Sequence, residues 1–170
     1  TFMSVASGDT LTMTAAQGTA GTILGTGTVA VTALGSTLGA NLSGLAADMT
    51  TTAALDSSGG KVLASTANLT NVDTINISGS GTVTAHASAT LGSGTYDVAS
   101  TATLSLTADK VSGLNASGDG NVTVTGTGSG TTNLSNLAAG NVNITAADLS
   151  NGITFMSVAS GDTLTMTAAQ

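Results

Sequence analysis

Apolar and small polar residues take turns along most of this chain. The stretches TLTMT (10–14), TVAVT (28–32), TINIS (74–78), TLSLT (103–107), NVTVT (121–125) and NVNIT (141–145) all carry the alternation. A period of two places the apolar side chains on one face of a strand and Thr, Ser or Asn on the other. Thr and Val are β-branched and suit strands. The runs between them, ASGD (6–9), LGTG (24–27), ISGSG (77–81) and ASGDG (116–120), have the composition of turns. Helical signals are few: LSGLAADM (42–49) and LSNLAAG (134–140) each predict no more than a helical turn.

The pattern repeats at two lengths. Residues 1–17, TFMSVASGDTLTMTAAQ, return without a substitution as residues 154–170, an offset of 153. The chain therefore divides into one full period, residues 1–153, and the start of the next, residues 154–170. Within the period, residues 10–32 align with 103–125, each opening and closing on an alternating strand with a Gly-rich turn before the second, and 62–84 fit the same frame. ANLSGLA (40–46) and TNLSNLA (132–138) follow the first two at matching places. Self-similarity at fixed periods marks repeat architectures, and the chain reads as a window cut from a tandem array.

Short strands about every ten residues suit a sandwich, a barrel or a solenoid. Internal repeats of about 20–25 residues are the length of a stacked rung. Asn, Ser and Thr at equivalent positions can form ladders from rung to rung. Like charges stacked ~4.8 Å apart would repel along the whole axis, so a scarcity of charge favours stacking. The expected fold is all-β: a β-solenoid, or β-helix, of short-strand rungs of about 20–25 residues, without terminal caps.

Composition sharpens this picture. Only 6% of residues are charged: nine acidic groups, all Asp, and two Lys, Lys61 and Lys110. With 41% hydrophobic residues the chain can bury a core, which disordered chains cannot. That core must be Val, Leu, Ile, Ala and Met, which fill a narrow regular interior better than a round one. A net charge of −7 excludes nucleic acid as a partner and a basic membrane-surface patch. No apolar run approaches the ~18 residues of a spanning helix, so membrane insertion is not expected. The absence of Cys excludes a disulfide framework and thiolate metal sites. The expected partner is the protein itself, end to end along an array and side by side between fibres.

LTADKVSGLNASGDGNVTVTG (106–126) resembles the repeat units of giant secreted bacterial surface proteins, the adhesin or haemagglutinin-like repeat proteins. The resemblance implies secretion to the cell surface, a β-solenoid fold, and a role in adhesion or as a spacer. It carries no catalytic residue.

Candidate chemistry is sparse. Asp9, Asp48, Asp56, Asp73, Asp97, Asp109, Asp119, Asp148 and Asp162 are spread along the chain, mostly in turns, where Asp bonds its own backbone. No Arg is present to bind a uronate, and an enzyme is not expected. His86, the one imidazole, cannot build a structural zinc site alone and falls on the outward face of its strand. No cofactor is expected. Calcium is the metal for which the oxygen ligands are suited, with Asp119 and the Asp9/Asp162 pair as candidates. Phe2, Phe155 and Tyr96, outside the main apolar frame, are expected at contacts between filaments. Thr-x-Thr rows of the kind found in ice-binding proteins occur, but without recurring at one fixed position in the rung. Seven N-x-[ST] triplets read as a by-product of composition. The expected function is a structural repeat of an extracellular bacterial fibre, sheath or adhesin stalk. The alternatives are a module binding carbohydrate, ice or a host receptor, and a phage tail-fibre shaft.

Overall fold

The computed structural model describes residues 2–126, 131–145, 153–154 and 163–166, the pair 153–154 by backbone alone. Sixteen strands are assigned among the described residues: β1 (Phe2–Val5), β2 (Thr10–Thr14), β3 (Thr22–Gly25), β4 (Thr28–Thr32), β5 (Thr50–Asp56), β6 (Lys61–Leu63), β7 (Thr74–Ser78) and β8 (Thr82–Ala85) form the first half. β9 (Thr95–Val98), β10 (Thr103–Thr107), β11 (Asn115–Ser117), β12 (Asn121–Thr125), β13 (Thr132–Asn133), β14 (Asn141–Ile144), β15 (Ile153–Thr154) and β16 (Thr163–Thr165) form the second. Two single-turn helices, α1 (Ala15–Thr19) and α2 (Ala108–Val111), interrupt them.

The strands build a β-solenoid. One sheet runs β2-β4-β5-β7-β9-β11, a second runs β6-β8-β10-β12-β14-β16, and β1–β3 and β13–β15 form short pairs. All twelve pairings are parallel. Neighbours in a parallel ladder cannot be joined by a hairpin, so the chain travels round a full coil between them. One rung takes β5 in the first sheet, β6 in the second, the bridge at Asn68 on a narrow third side, and returns to β7. That third side is marked by the bridges Asn41–Asn68–Thr90. Register sets the rung length: Thr10 lies beside Thr28, Thr28 beside Thr50, Thr74 beside Thr95 and Thr95 beside Asn115. Along these strands a rung is thus 18 to 22 residues, at the short end of the length expected from sequence, while the Asn41–Asn68 bridge on the third side spans 27.

Inward residues stack in columns. Met13, Val31, Ala53, Ile75, Tyr96, Ala116 and Leu137 follow one another up the first sheet. Val83, Leu104, Val122, Val142 and Leu164 do so up the second. All but Leu164 of these twelve are buried. Fully burying one such aliphatic side chain is worth about 1.5–3 kcal/mol, which is what offsets the ordering of so many corners.

Corners are closed by residues that let one rung sit tightly on the next. A Cβ at Gly27, Gly81, Gly94 or Gly120 would fall within 2.4 Å of a backbone oxygen of the rung below, so nothing larger than glycine fits. The two runs expected to make helical turns do not form helices. Asn41 and Asn133 open them, and their Oδ1 atoms accept from the backbone N–H and hydroxyl of Ser43 and Ser135, an Asx turn that competes with helix. Asn68 holds Thr70 in the same way. These three N-x-[ST] triplets therefore have a structural cause, which composition did not reveal. The true helical turns lie elsewhere: Thr14 and Gln17 close a capping box on α1, each side chain accepting from the other's backbone N–H.

Candidate functional site

Tyr96 is the plainest correction to the sequence reading. Its placement among filament contacts fails because the side chain is fully buried, stacked between Ile75 and Ala116, where the small alanine leaves it room. Its hydroxyl donates to the Leu91 carbonyl at 2.7 Å, so the one polar atom of a core aromatic is satisfied. Burial holds its phenol well above the usual tyrosine range.

Phe2, by contrast, is 71% exposed. It pairs with Thr22 on β1–β3, and the outward Leu24 of β3 is also exposed. Met3 occupies the inward position, over Ile23, yet is exposed because β1 has a neighbour on one edge only among the described residues. Phe2, Met3, Leu11, Met13, Gln17 and Ile23 surround a hollow of about 310 Å³. Phe155, the repeat of Phe2, lies outside the described residues.

The calcium candidates are not brought together. Asp9 is exposed in the turn between β1 and β2, and Asp119 is exposed in the turn between β11 and β12, at opposite ends of the first sheet. Asp162 lies outside the described residues. Among the described residues no three His, Cys, Asp or Glu side chains converge as a metal site would require. Asp9 contributes its main-chain carbonyl to Thr28 N–H, and Asp73 Oδ2 accepts from Thr51 N–H at 2.7 Å. Asp56 accepts from Ser58, whose hydroxyl and N–H hold the carboxyl below the usual carboxylate range, with the Lys61 charge adding and desolvation opposing. His86 is exposed, but it lies one residue past the end of β8 and not on the strand, and its Nδ1 accepts from Ser88 N–H at 3.0 Å.

A second hollow, about 320 Å³, lies beside α2 between Ser88–Gly92 and Asp109–Leu114. Lys110 Nζ crosses to the Ala89 carbonyl there, tying α2 to the rung below.

The outward face of the second sheet carries a feature that the sequence reading missed. Thr82, Thr103, Asn121, Asn141 and Thr163 form one rank across the strands, and Ser105, Thr123, Asn143 and Thr165 form the next. Small polar residues recur at fixed rung positions, although Thr-x-Thr itself does not: β10 carries Thr-x-Ser, β12 Asn-x-Thr and β14 Asn-x-Asn. The strands differ in loop length, so the ranks become visible only once register is known. Adjacent ranks stand roughly 6.8 Å apart along the strand, and members of a rank roughly 4.8 Å apart. Thr125 and Thr145 extend the pattern at the strand ends, each hydroxyl donating to a carbonyl of the rung below.

No helix among the described residues is long and apolar enough to cross a membrane. No family model, curated protein or solved structure matches the chain.

Proposed function

We propose that this chain is a structural repeat of an extracellular bacterial fibre, sheath or adhesin stalk, built as a continuous β-solenoid. The observation that carries the reading is the pairing of β16 with β14 in register Asn141–Thr163, Val142–Leu164 and Asn143–Thr165. Residues 163–165 are the second copy of residues 10–12, so the start of a second period continues the coil of the first. Stacked rungs bury each other's cores, and stability accumulates with every added neighbour. The sheet hydrogen bonds run along the axis, so tension loads the ladders and the covalent chain together. The acidic surface keeps such fibres soluble and leaves lateral contact to local apolar patches. The resemblance of residues 106–126 to giant surface-protein repeats supplies the cellular setting, and exposed Phe2 and its copies supply contacts between fibres.

The test is the complete reading frame with fibre diffraction of its product. Many near-identical periods are expected, with a meridional spacing of ~4.8 Å and an axial period of roughly 30–40 Å. A single period in the reading frame, or an axial repeat far outside that range, overturns the reading.

A second reading, a ligand-binding module, is favoured by the polar ranks on the second sheet. Regularly spaced Thr, Asn and Ser on a flat face suit an ordered water lattice such as ice. Thermal hysteresis in the purified chain, abolished by Thr123→Tyr, would establish this reading, and its absence disposes of it.

A further inference from the structure

One period does not close on itself. Strand β2 belongs to the first sheet, yet β16, which repeats its residues 10–12, belongs to the second. The ladders allow the displacement to be counted. Thr10 lies beside Thr28 and Thr28 beside Thr50, two rungs up. From the other end, Thr163 lies beside Asn141, then Asn121, Thr103 and Thr82, and the register of Lys61 against Val83 sets Gly60 next below. The column of Thr10 thus passes Thr50 while the column of its copy passes Gly60, ten residues further round the same rung. We infer that a period makes seven turns and a further passage from one sheet to the next. Resting on the array reading above, successive periods are rotated about the fibre axis as well as translated along it.

The internal repeat behaves the same way. Residues 10–32 align with 103–125, and β2 and β4 of the first copy lie in the first sheet, whereas β10 and β12 of the second lie in the second sheet. The motif is therefore not tied to one side of the coil. An alternating strand with inward Val or Leu fits either sheet, because both supply the same requirement: an aliphatic column within and small polar residues without. The shift arises because the seven turns consume 143 of the 153 residues, and the remaining ten carry the chain from Thr50 to Gly60, from the first sheet to the second.

The consequence concerns partners. Had the period been a whole number of turns, every copy of the exposed Phe2–Leu24 patch would lie on one line along the fibre, and two fibres could zip together along it. With the extra passage, successive copies emerge on successive sides. The patch winds round the axis, and so do the polar ranks of the second sheet. Such a fibre meets further copies of itself from several directions, forming bundles instead of flat two-fibre ribbons.

The chain contains no cysteine, so engineered pairs report position cleanly. In the 170-residue chain, Asn143→Cys with Thr165→Cys places two outward residues on neighbouring strands, at a separation of about 4.8 Å that a disulfide can span. An in-phase period would instead set residue 165 above the first sheet, over Asn136, because the column of Thr12 runs through Ala30, Thr52, Thr74, Thr95 and Asn115 to that residue, so Asn136→Cys with Thr165→Cys is the opposing pair. Under mild oxidation the 143/165 pair is expected to lose two hydrogens by intact mass, as monomer, and the 136/165 pair to stay reduced. Cross-linking of the 136/165 pair, or of neither pair, overturns the inference. This readout needs no array, so a reading frame with one period would sink the fibre proposal and leave the phase intact. Where several periods are present, electron microscopy should find a non-zero rotation per period, and a rotation of zero overturns the inference for the fibre.

Discussion

Gly81 stands where the chain leaves β7 for β8, and an added Cβ would lie 2.0 Å from the Ser57 carbonyl oxygen on the rung below and 2.9 Å from the Gly60 nitrogen. A comfortable carbon–oxygen contact is about 3.3 Å, so an alanine must lift this corner by about 1 Å. The corner is fastened by the Gly60 N–H to the Ser57 carbonyl at 2.9 Å and by the Gly81 N–H to Ser57 Oγ at 3.0 Å. Losing both costs about 1 kcal/mol each, and the overpacking adds about 1–3 kcal/mol. A stiffer unfolded chain returns up to about 1 kcal/mol, leaving Gly81→Ala about 2–5 kcal/mol less stable. The matched comparison is Gly59→Ala: nothing lies within 4 Å of its Cβ, but φ is +76°, so only the left-handed backbone is penalised, by about 1–2 kcal/mol. Urea unfolding of both variants, followed by circular dichroism, separates the two costs. If Gly81→Ala unfolds at the same or a higher urea concentration than Gly59→Ala, close rung-to-rung stacking is not what selects glycine at these corners.

Two further outcomes follow from buried polar atoms. Tyr96→Phe should cost about 1–3 kcal/mol at neutral pH, because the Leu91 carbonyl loses its buried donor. Since burial raises the folded phenol's pKa above its ordinary 10.0, the neutral form's contribution is whole below that pH and is lost as pH rises beyond it; thermal melts of the parent chain should fall more steeply above pH 10 than those of Tyr96→Phe, and equal slopes would contradict the burial. Thr51→Val should stabilise by about 1 kcal/mol, since Thr51 Oγ1 is buried without a partner and the bond to Asp73 uses the backbone N–H; a lower melting temperature would mean that the hydroxyl is satisfied.

Period-two alternation was enough to read the strands β2, β4, β7, β10, β12 and β14, because each presents a full apolar face to the core. The solenoid needed more than alternation: the internal repeat at rung length, the recurring Asn, Ser and Thr, and the scarcity of charge separated it from a sandwich or barrel. Tyr96 escaped the same logic. TYDV (95–98) has the spacing of a core strand, and an aromatic stood out only by rarity; its inward direction follows from alternation with Val98, which was there to be used. The helical turns escaped for a different reason. Ala-rich runs 42–49 and 134–140 have helix propensity, but the Asn ahead of each captures the first backbone N–H groups for an Asx turn, a local competition that propensity alone does not weigh.

The polar ranks and the rotated period belong to a third kind of feature, one that no strand carries by itself. Both depend on how many residues each corner consumes, and corner lengths here vary between neighbouring rungs: 18 residues separate Thr10 from Thr28, but 22 separate Thr28 from Thr50. Sequence alignment sees such differences as insertions and deletes them. In the coil they do not shift the columns, because hydrogen-bonded register absorbs the extra residues at corners and keeps every strand's inward face over the last. The same tolerance lets copies of one motif occupy different sheets. A chain built this way can diverge in rung length without losing its core, while each extra corner residue changes where the next motif meets the surface. Rung length therefore sets surface geometry, and the alternating strands set stability.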